Sequence, residues 1–291
     1  MKWQGRTKGG SFGQRSIYGL LRRLDIRGCY VILRLVIPFY MLFAARGRKA
    51  IYRYFRTIHG YRPWKALRKT YRNHYLFGQL LFDRFAIFAG KAGRLQVSVE
   101  GNEHFQHAVE SEKPCIIAGS HTGNFEILGY LLSQEHKPMH AVVYGGEAEV
   151  VQRYREKVLA GKNIHLVPVA DDMSHIFEIN RALSAGGIVS MPCDRVYTGN
   201  KSVEIDFLGA RAKFPTGAFH LACKAGANVL AIFVMKTRPL AYKVYVRPLG
   251  SGAESDVKRL QARFAEELGS IVQQYPEQWY NFYPFWSDNK R

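Results

Sequence analysis

From about residue 95 onward, short runs of apolar and β-branched residues alternate with longer stretches of mixed character. The runs at 95–99, 114–119, 139–144, 164–169, 187–191 and 228–235 predict strands, with an extra strand at 242–246. Between them the apolar residues of 125–132, 150–159, 174–183 and 216–225 recur at helical spacing, and 256–274 predicts a closing amphipathic helix. Strand and helix in alternation imply an α/β fold, with a mixed, largely parallel central sheet flanked by helices. In such sheets ligands gather at the carboxyl ends of the strands, in the turns that lead to the next helix.

The first third of the chain is patterned differently. Residues 29–45 are continuously apolar except for Arg34, and Pro38 falls inside the run. A helix needs about 20 apolar residues to cross the hydrocarbon core comfortably, and both flanks here are basic, so the run predicts a helix dipping into one leaflet. A long stretch precedes it, and Phe43-Ala44-Ala45 puts a bulky side chain three positions before the end of the run, unlike a cleaved secretory signal.

Charge sharpens the division. The chain has 291 residues with 42 Lys+Arg against 23 Asp+Glu, net +19, but residues 1–82 hold 18 of the basic residues and a single acid, Asp25. The rest is nearly balanced. The expected organisation is therefore a basic helical membrane-associating arm at 1–89 and an α/β domain at 90–291. Aromatic residues interleaved with the cations of the arm suit headgroup depth, although nucleic acid attracts the same mixture and a solvated basic helix pair packed on the core is the plainest reading. The apolar run favours an anionic membrane surface, with no nucleic acid as partner.

Composition closes other routes. A chain of this length can bury roughly 75% of the surface its unfolded form exposes, so a core needs neither metal nor disulfide support. Cys29, Cys115, Cys193 and Cys223 show no metal-ligand spacing and read as buried thiols of a reducing compartment. A mean hydropathy of −0.20 excludes a polytopic membrane protein.

The first chemical candidate is His121, followed five positions later by Glu126 in Ala118-Gly-Ser-His-Thr-Gly-Asn-Phe-Glu126. Spacing alone is weak, since roughly 0.8 such His/acid pairs are expected by chance in this composition, and His107 with Glu112 forms another. Context separates them. His107 lies in a polar stretch, whereas His121 follows an apolar strand and precedes an apolar helix. Within one regular helix two residues five apart would stand about 140° apart, so the pair can meet only with His121 in the turn. A carboxylate there would fix the imidazole tautomer and raise its basicity for taking a proton from a hydroxyl. Gly123 and Asn124 beside it are expected at the substrate, Gly123 because it lets a ligand approach the backbone. Ser120 invites a nucleophilic reading, but Gly-Ser-His-Thr-Gly is not the Gly-x-Ser-x-Gly elbow.

Two further candidates complete the set. Asp194 and Arg195 end the strand Ser190-Met-Pro-Cys-Asp-Arg195, a position suited to ligand contact or to an ordinary salt bridge. Arg211 and Lys213 precede Pro215, which suits a first helical position, so they are expected at a helix N-terminus favouring an anionic group.

The blocks Gly119-Ser-His-Thr-Gly-Asn-Phe-Glu126, Pro192-Cys-Asp194, Phe207-Leu-Gly209, Pro215-Thr-Gly217 and Pro276-Glu-Gln-Trp279, in this order, resemble the bacterial lipid A biosynthesis lauroyl/myristoyl acyltransferase family. That resemblance implies transfer of a fatty acyl chain from acyl carrier protein to a hydroxyl of a membrane glycolipid, on the cytoplasmic face of the inner membrane. It makes His121 the base and Glu126 its acidic partner. Arg153, with Arg155 as a substitute, and Asp194 fall where the family has further functional residues. The acyl thioester is a co-substrate, and no metal or nucleotide cofactor is implied. Phe125 stands where Trp is usual, and the aromatic ending Pro276–Trp286 is closer to acyltransferases of the same superfamily that serve aryl polyene lipids or aminolipids. Other acceptors such as a lysophospholipid, a thioester hydrolase, and a basic membrane-surface binding protein without catalysis are the alternatives.

Overall fold

Strands buried on both faces account for the continuous apolar runs. The computed structural model describes Gly19 and residues 24–88, 95–128, 137–144, 163–169, 172–197 and 201–286, with the side chains of Phe88, Glu126 and Tyr144 outside that description. The predicted strands appear as β1 (Gln96–Glu100), β2 (Cys115–Gly119), β3 (Met139–Tyr144), β4 (Ile164–Val169), β5 (Ile188–Pro192), β8 (Asn228–Arg238) and β9 (Ala241–Ser251). Among the described residues they form a seven-stranded sheet in the order β1-β9-β8-β2-β5-β3-β4. Its one antiparallel pair is β8 with β9, and every other neighbouring pair is parallel. β2 is central and entirely buried, which fits the unbroken apolar sequence Cys-Ile-Ile-Ala-Gly.

Helices cover the sheet. α4 (Asn102–Glu110), α5 (Ser174–Ser184), α6 (Gly217–Ala225) and α7 (Val257–Gln274) follow the strands, and the Asp256 side chain caps α7 by accepting the Arg259 N–H at 2.7 Å. The helix expected at 125–132 begins as a 3-10 turn, Phe125–Ile127, and its remainder beyond 128 lies outside the described residues, as does the helix expected at 150–159.

One expectation is corrected. Pro215 does not open a helix; it ends β7 (Ala210–Pro215), which pairs antiparallel with β6 (Ser202–Phe207), and α6 starts two residues later behind Thr216. Leu208 and Gly209, at φ 55° and 81°, make the tight turn between the two strands. Phe207, Ala212 and Phe214 point into the core, so the polar residues that alternate with them, Arg211 and Lys213 included, face outward.

The described part of the arm, residues 24–88, is largely helical and packs on the sheet. α1 (Ile26–Phe43) is the one helix among the described residues long and apolar enough to cross a membrane by length and composition. It is followed by α2 (Ala45–Arg53), a π-helical turn (Tyr54–Ile58) and α3 (Pro63–Phe88). One face of α1, with Ile26, Cys29, Tyr30, Leu33, Ile37 and Met41, is buried against Phe82, Phe85 and Ala86 of α3. The opposite face leaves Leu35, Phe39 and Phe43 exposed at 69%, 66% and 84%. Pro38 removes the helical donor to the Arg34 carbonyl, which instead accepts the Tyr71 hydroxyl at 3.2 Å. Farther along, Ile51, Tyr54, Phe55 and Ala66 share one hydrophobic core with Ile116, Val189 and Trp279.

Candidate active site

Two neighbouring parallel strands, β2 and β5, end side by side, and the residues just past their ends are His121 and Asp194. The chain leaving β2 turns sharply at Gly123, with φ at +51°. A Cβ there would stand 2.0 Å from the Val234 carbonyl oxygen, so the close approach of this turn to β8 admits only glycine. Three backbone hydrogen bonds pin the turn: Gly123 N–H to the Gln278 carbonyl at 2.8 Å, Asn124 N–H to the Val234 carbonyl at 2.7 Å, and Tyr280 N–H to the His121 carbonyl at 2.9 Å. The imidazole is thus carried on a loop gripped from one side by a sheet strand and from the other by the C-terminal segment.

The carboxylate that meets this imidazole is Asp194. Its Oδ1 lies 2.7 Å from His121 Nδ1, and its Oδ2 accepts the His121 backbone N–H at 2.9 Å. Both oxygens of one carboxylate therefore hold one residue, fixing where the ring sits and which way it faces. Asp194 is fully buried, whereas the His121 side chain is 13% exposed and has Phe125 edge-on at 5.1 Å between ring centroids. Burial pushes the Asp194 carboxyl up, but the charge and hydrogen bonds of His121, with Arg195 beside it, outweigh that and hold it below its ordinary value. The sequence places Asp194 at a strand's carboxyl end; the structure shows that its contact there is the histidine.

The other candidates divide. The Glu126 side chain and all of Arg153 and Arg155 lie outside the described residues. Gly123 and Asn124, expected at the substrate, are both buried, and their backbone N–H groups are spent on Gln278 and Val234 rather than offered to an oxyanion. The Asn124 amide donates to the Tyr242 hydroxyl at 3.2 Å. Arg195 turns inward, donating to the Tyr280 carbonyl at 2.8 Å and to Asn281 Oδ1 at 3.1 Å. Arg211 stands on β7 within 3.9 Å of Glu204 and 3.7 Å of Asp206, and Lys213 is exposed on the same strand, so neither sits at a helix N-terminus. The Ser120 hydroxyl is buried 2.7 Å from that of Thr122, which leaves the nucleophilic reading without access to a substrate. His107 lies on the exposed face of α4, as its polar surroundings indicate.

Two residues of the block Pro276-Glu-Gln-Trp279, to which the sequence assigns no role, hold the site in place. Trp279 is 1% exposed and bridges to Thr122, and the Gln278 side chain accepts the Lys236 N–H at 2.9 Å and donates to the Lys236 carbonyl at 2.7 Å. The aromatic ending is thus a strap behind the His121 loop, with the Trp286 indole donating to the Phe207 carbonyl at 3.1 Å. A second buried carboxylate lies close by. Asp83 of α3 meets the Lys236 ammonium at 2.6 Å and accepts the hydroxyls of Tyr30 and Tyr242. That cluster joins α1, α3, β8 and β9, and through Tyr242 it reaches Asn124. Among the described residues, no group of three His, Cys, Asp or Glu side chains could hold a metal ion.

Comparison with known proteins shows what this chain is similar to. Residues 67–288 match the family described as bacterial lipid A biosynthesis acyltransferase. Over 220 residues the chain is 24% identical to the phosphatidylinositol mannoside acyltransferase of Mycolicibacterium smegmatis, covering 72% of this chain and 70% of that one. Over 201 residues it is 25% identical to the protein of the same name from Mycobacterium tuberculosis, spanning 67% of this chain and 61% of the relative. Among solved structures it is similar to the 1-acyl-sn-glycerophosphate (LPA) acyltransferase, PlsC, from Thermotoga maritima, with 15% identity, a TM-score of 0.43, and coverage of 87% of this chain and 99% of that one.

Proposed function

Since this chain belongs to the bacterial lipid A biosynthesis acyltransferase family, and so is a lipid acyltransferase, we propose that it moves a fatty acyl chain from acyl carrier protein to a hydroxyl of a membrane glycolipid, such as a lipid A precursor, with His121 as general base. The observation that carries this reading is the His121–Asp194 pair at the ends of two adjacent parallel strands. With Nδ1 turned to Asp194, proton exchange with the acceptor falls to Nε2. The imidazole takes the hydroxyl proton as the oxygen attacks the thioester carbonyl, and the buried carboxylate offsets the charge that develops on the ring. The tetrahedral intermediate collapses by expelling the thiolate, which recovers the proton from the imidazolium. Thiolate is a good leaving group, so no acyl-enzyme is needed and much of the rate comes from positioning.

Glu126, which the family resemblance makes the acidic partner of His121, assists in this scheme from the 3-10 turn that follows the His121 loop. A sugar hydroxyl is the acceptor class that the names of the mycobacterial relatives favour. The exposed apolar face of α1 and the basic arm set the enzyme on an anionic membrane, read as the cytoplasmic face of the inner membrane, where the acceptor is presented. Carrier proteins are acidic, so the same arm speeds their encounter. No cofactor beyond the thioester co-substrate enters this scheme, and no nucleic acid partner.

The test incubates purified full-length protein with acyl groups on acyl carrier protein or on coenzyme A, plus a membrane lipid extract, and reads the lipids by mass spectrometry. A glycolipid one acyl chain heavier is expected, with kcat/KM higher for the carrier protein at low salt and the gap narrowing as salt rises. Thioester consumption without any acylated lipid would make the protein a hydrolase and overturn the reading.

A further inference from the structure

Away from His121, two adjoining cavities of about 630 Å³ and 910 Å³ lie between α1, α3 and the turn joining β8 to β9. They share Arg34, Arg72, Tyr75 and Glu277 as common wall. Arg27, Arg68, Lys69, Lys236 and Arg238 add to the lining, so seven cations surround a space whose one carboxylate is Glu277. Glu277 is occupied by Lys69 at 2.5 Å and by Arg72 at 3.5 Å. Among the described residues no carboxylate forms an ion pair with Arg27, Arg34, Arg68 or Arg238, and the Lys236 ammonium on the cavity floor is held by Asp83. Guanidinium groups converging on a concave surface repel one another, and they match the forked oxygens of a phosphate.

The position of this space on α1 indicates where such a phosphate comes from. Arg27, Val31 and Arg34 are spaced i, i+4, i+7, a single stripe of the helix that lines the cavity. Leu35, Phe39 and Leu42 repeat the same spacing eight residues on, about 80° further round the helix and about 12 Å further along it, and are exposed at 69%, 66% and 65%. A stripe carrying two cations thus leads, from Arg34 onward, into a row of exposed apolar side chains. A ligand with an anionic head and apolar tails complements both rows, whereas a free anion complements only one.

We propose that these cavities form a headgroup site for an anionic membrane phospholipid, whose phosphate is held by Arg34, Arg72 and Arg238 and whose acyl chains run along the exposed face of α1. Neither His121 nor Asp194 lines this space. Gln278 stands between: it lines the cavity, and its carbonyl receives the Gly123 N–H of the catalytic loop. The lipid is held beside the reaction centre, as a docking lipid, and the wall it touches is the segment that supports the His121 loop. Its binding does not depend on acyl transfer.

The test uses full-length protein in a non-ionic detergent and native mass spectrometry, with phosphatidylglycerol, phosphatidylcholine or inorganic phosphate as probes. One phosphatidylglycerol per chain is expected to be retained, with phosphatidylcholine at least about tenfold weaker. Arg34 and Arg238 are both exposed, so Arg34→Gln with Arg238→Gln should leave the thermal midpoint in place while weakening phosphatidylglycerol retention about 30-fold, at about fivefold per cation. Arg46→Gln with Lys49→Gln, two equally exposed cations of the arm outside the cavity, should change it less than about twofold. Equal retention of phosphatidylcholine by the parent protein would overturn the proposal without reference to any variant. So would an equal loss in the Arg46/Lys49 pair, which would mean diffuse attraction. Displacement of the lipid by equimolar inorganic phosphate would mean a site for the free anion.

Discussion

Two buried carboxylates in this molecule do opposite things. Asp83 and Asp194 are both fully buried, and each meets a nitrogen, Lys236 Nζ at 2.6 Å and His121 Nδ1 at 2.7 Å. Asp83 is closed in: Tyr30 and Tyr242 donate to it, the Lys236 ammonium also bonds the Tyr30 hydroxyl at 2.7 Å, and the Lys236 side chain is 6% exposed. The polar capacity of that cluster is spent in tying the arm helices to β8 and β9. Asp194 instead gives both oxygens to a residue at a strand end whose side chain keeps some exposure. Burial of an acid therefore does not mark a reaction centre; a partner left at the edge of the core does.

Several substitutions would break or sharpen this contrast. Asp83→Ala leaves the Lys236 ammonium buried without its counter-charge and should cost about 3–5 kcal/mol in urea unfolding; a loss under about 1 kcal/mol would mean that the cluster does not clamp arm to sheet. Asp194→Asn keeps the shape of the site but not the charge, and kcat should fall by on the order of 10². Stability supplies an independent check on the same pair. The Asp194 carboxyl is held below its ordinary value, so the stability it contributes is present at neutral pH and lost as pH falls through its folded pKa. The advantage of the parent protein over Asp194→Asn should therefore shrink below about pH 4, and a constant gap down to acid unfolding would contradict the pairing.

Smaller effects probe the loop and the arm. Gly123→Ala forces a Cβ against the Val234 carbonyl at positive φ and should cost about 1–3 kcal/mol in strain, with kcat falling beyond what the loss of folded protein explains. Unchanged kcat would show that the turn need not be held by β8. Leu35→Ala, on the exposed face of α1, should leave folding intact and weaken vesicle binding by about 1 kcal/mol at high salt, where charge attraction is screened. Binding unaffected by that change would mean that the face does not enter the bilayer.

Much of the sheet is legible from apolar runs: the run at 114–119 falls on β2, buried throughout, and the runs at 139–144 and 164–169 coincide with β3 and with β4, a partly exposed edge strand. The β6–β7 hairpin carries an equally plain sign, Val203, Ile205 and Phe207 alternating with polar residues, but the suitability of Pro215 for a first helical position obscures it. His121 was legible from its place after β2. Its contact with Asp194 depends on β2 and β5 being neighbours, although they lie more than 70 positions apart, and no local spacing carries that information. The Asp83–Lys236 pair is hidden for the same reason, since a lone acid in a basic helix announces nothing about the strand it will meet. The packing of the aromatic ending is hidden in the sequence because its partners, such as Phe207, come from distant elements.

The central claim is that His121 takes the proton of the acceptor hydroxyl. His107 is an internal control, since it stands in the same five-residue spacing to an acid but on the exposed face of α4. The direct measurement is kcat/KM for thioester-to-lipid transfer, normalised to folded protein, in His121→Ala and His107→Ala beside the parent. The account predicts a loss of about 10² to 10⁴ for His121→Ala, with the His107→Ala rate close to that of the parent. Equal transfer rates in all three proteins would contradict it.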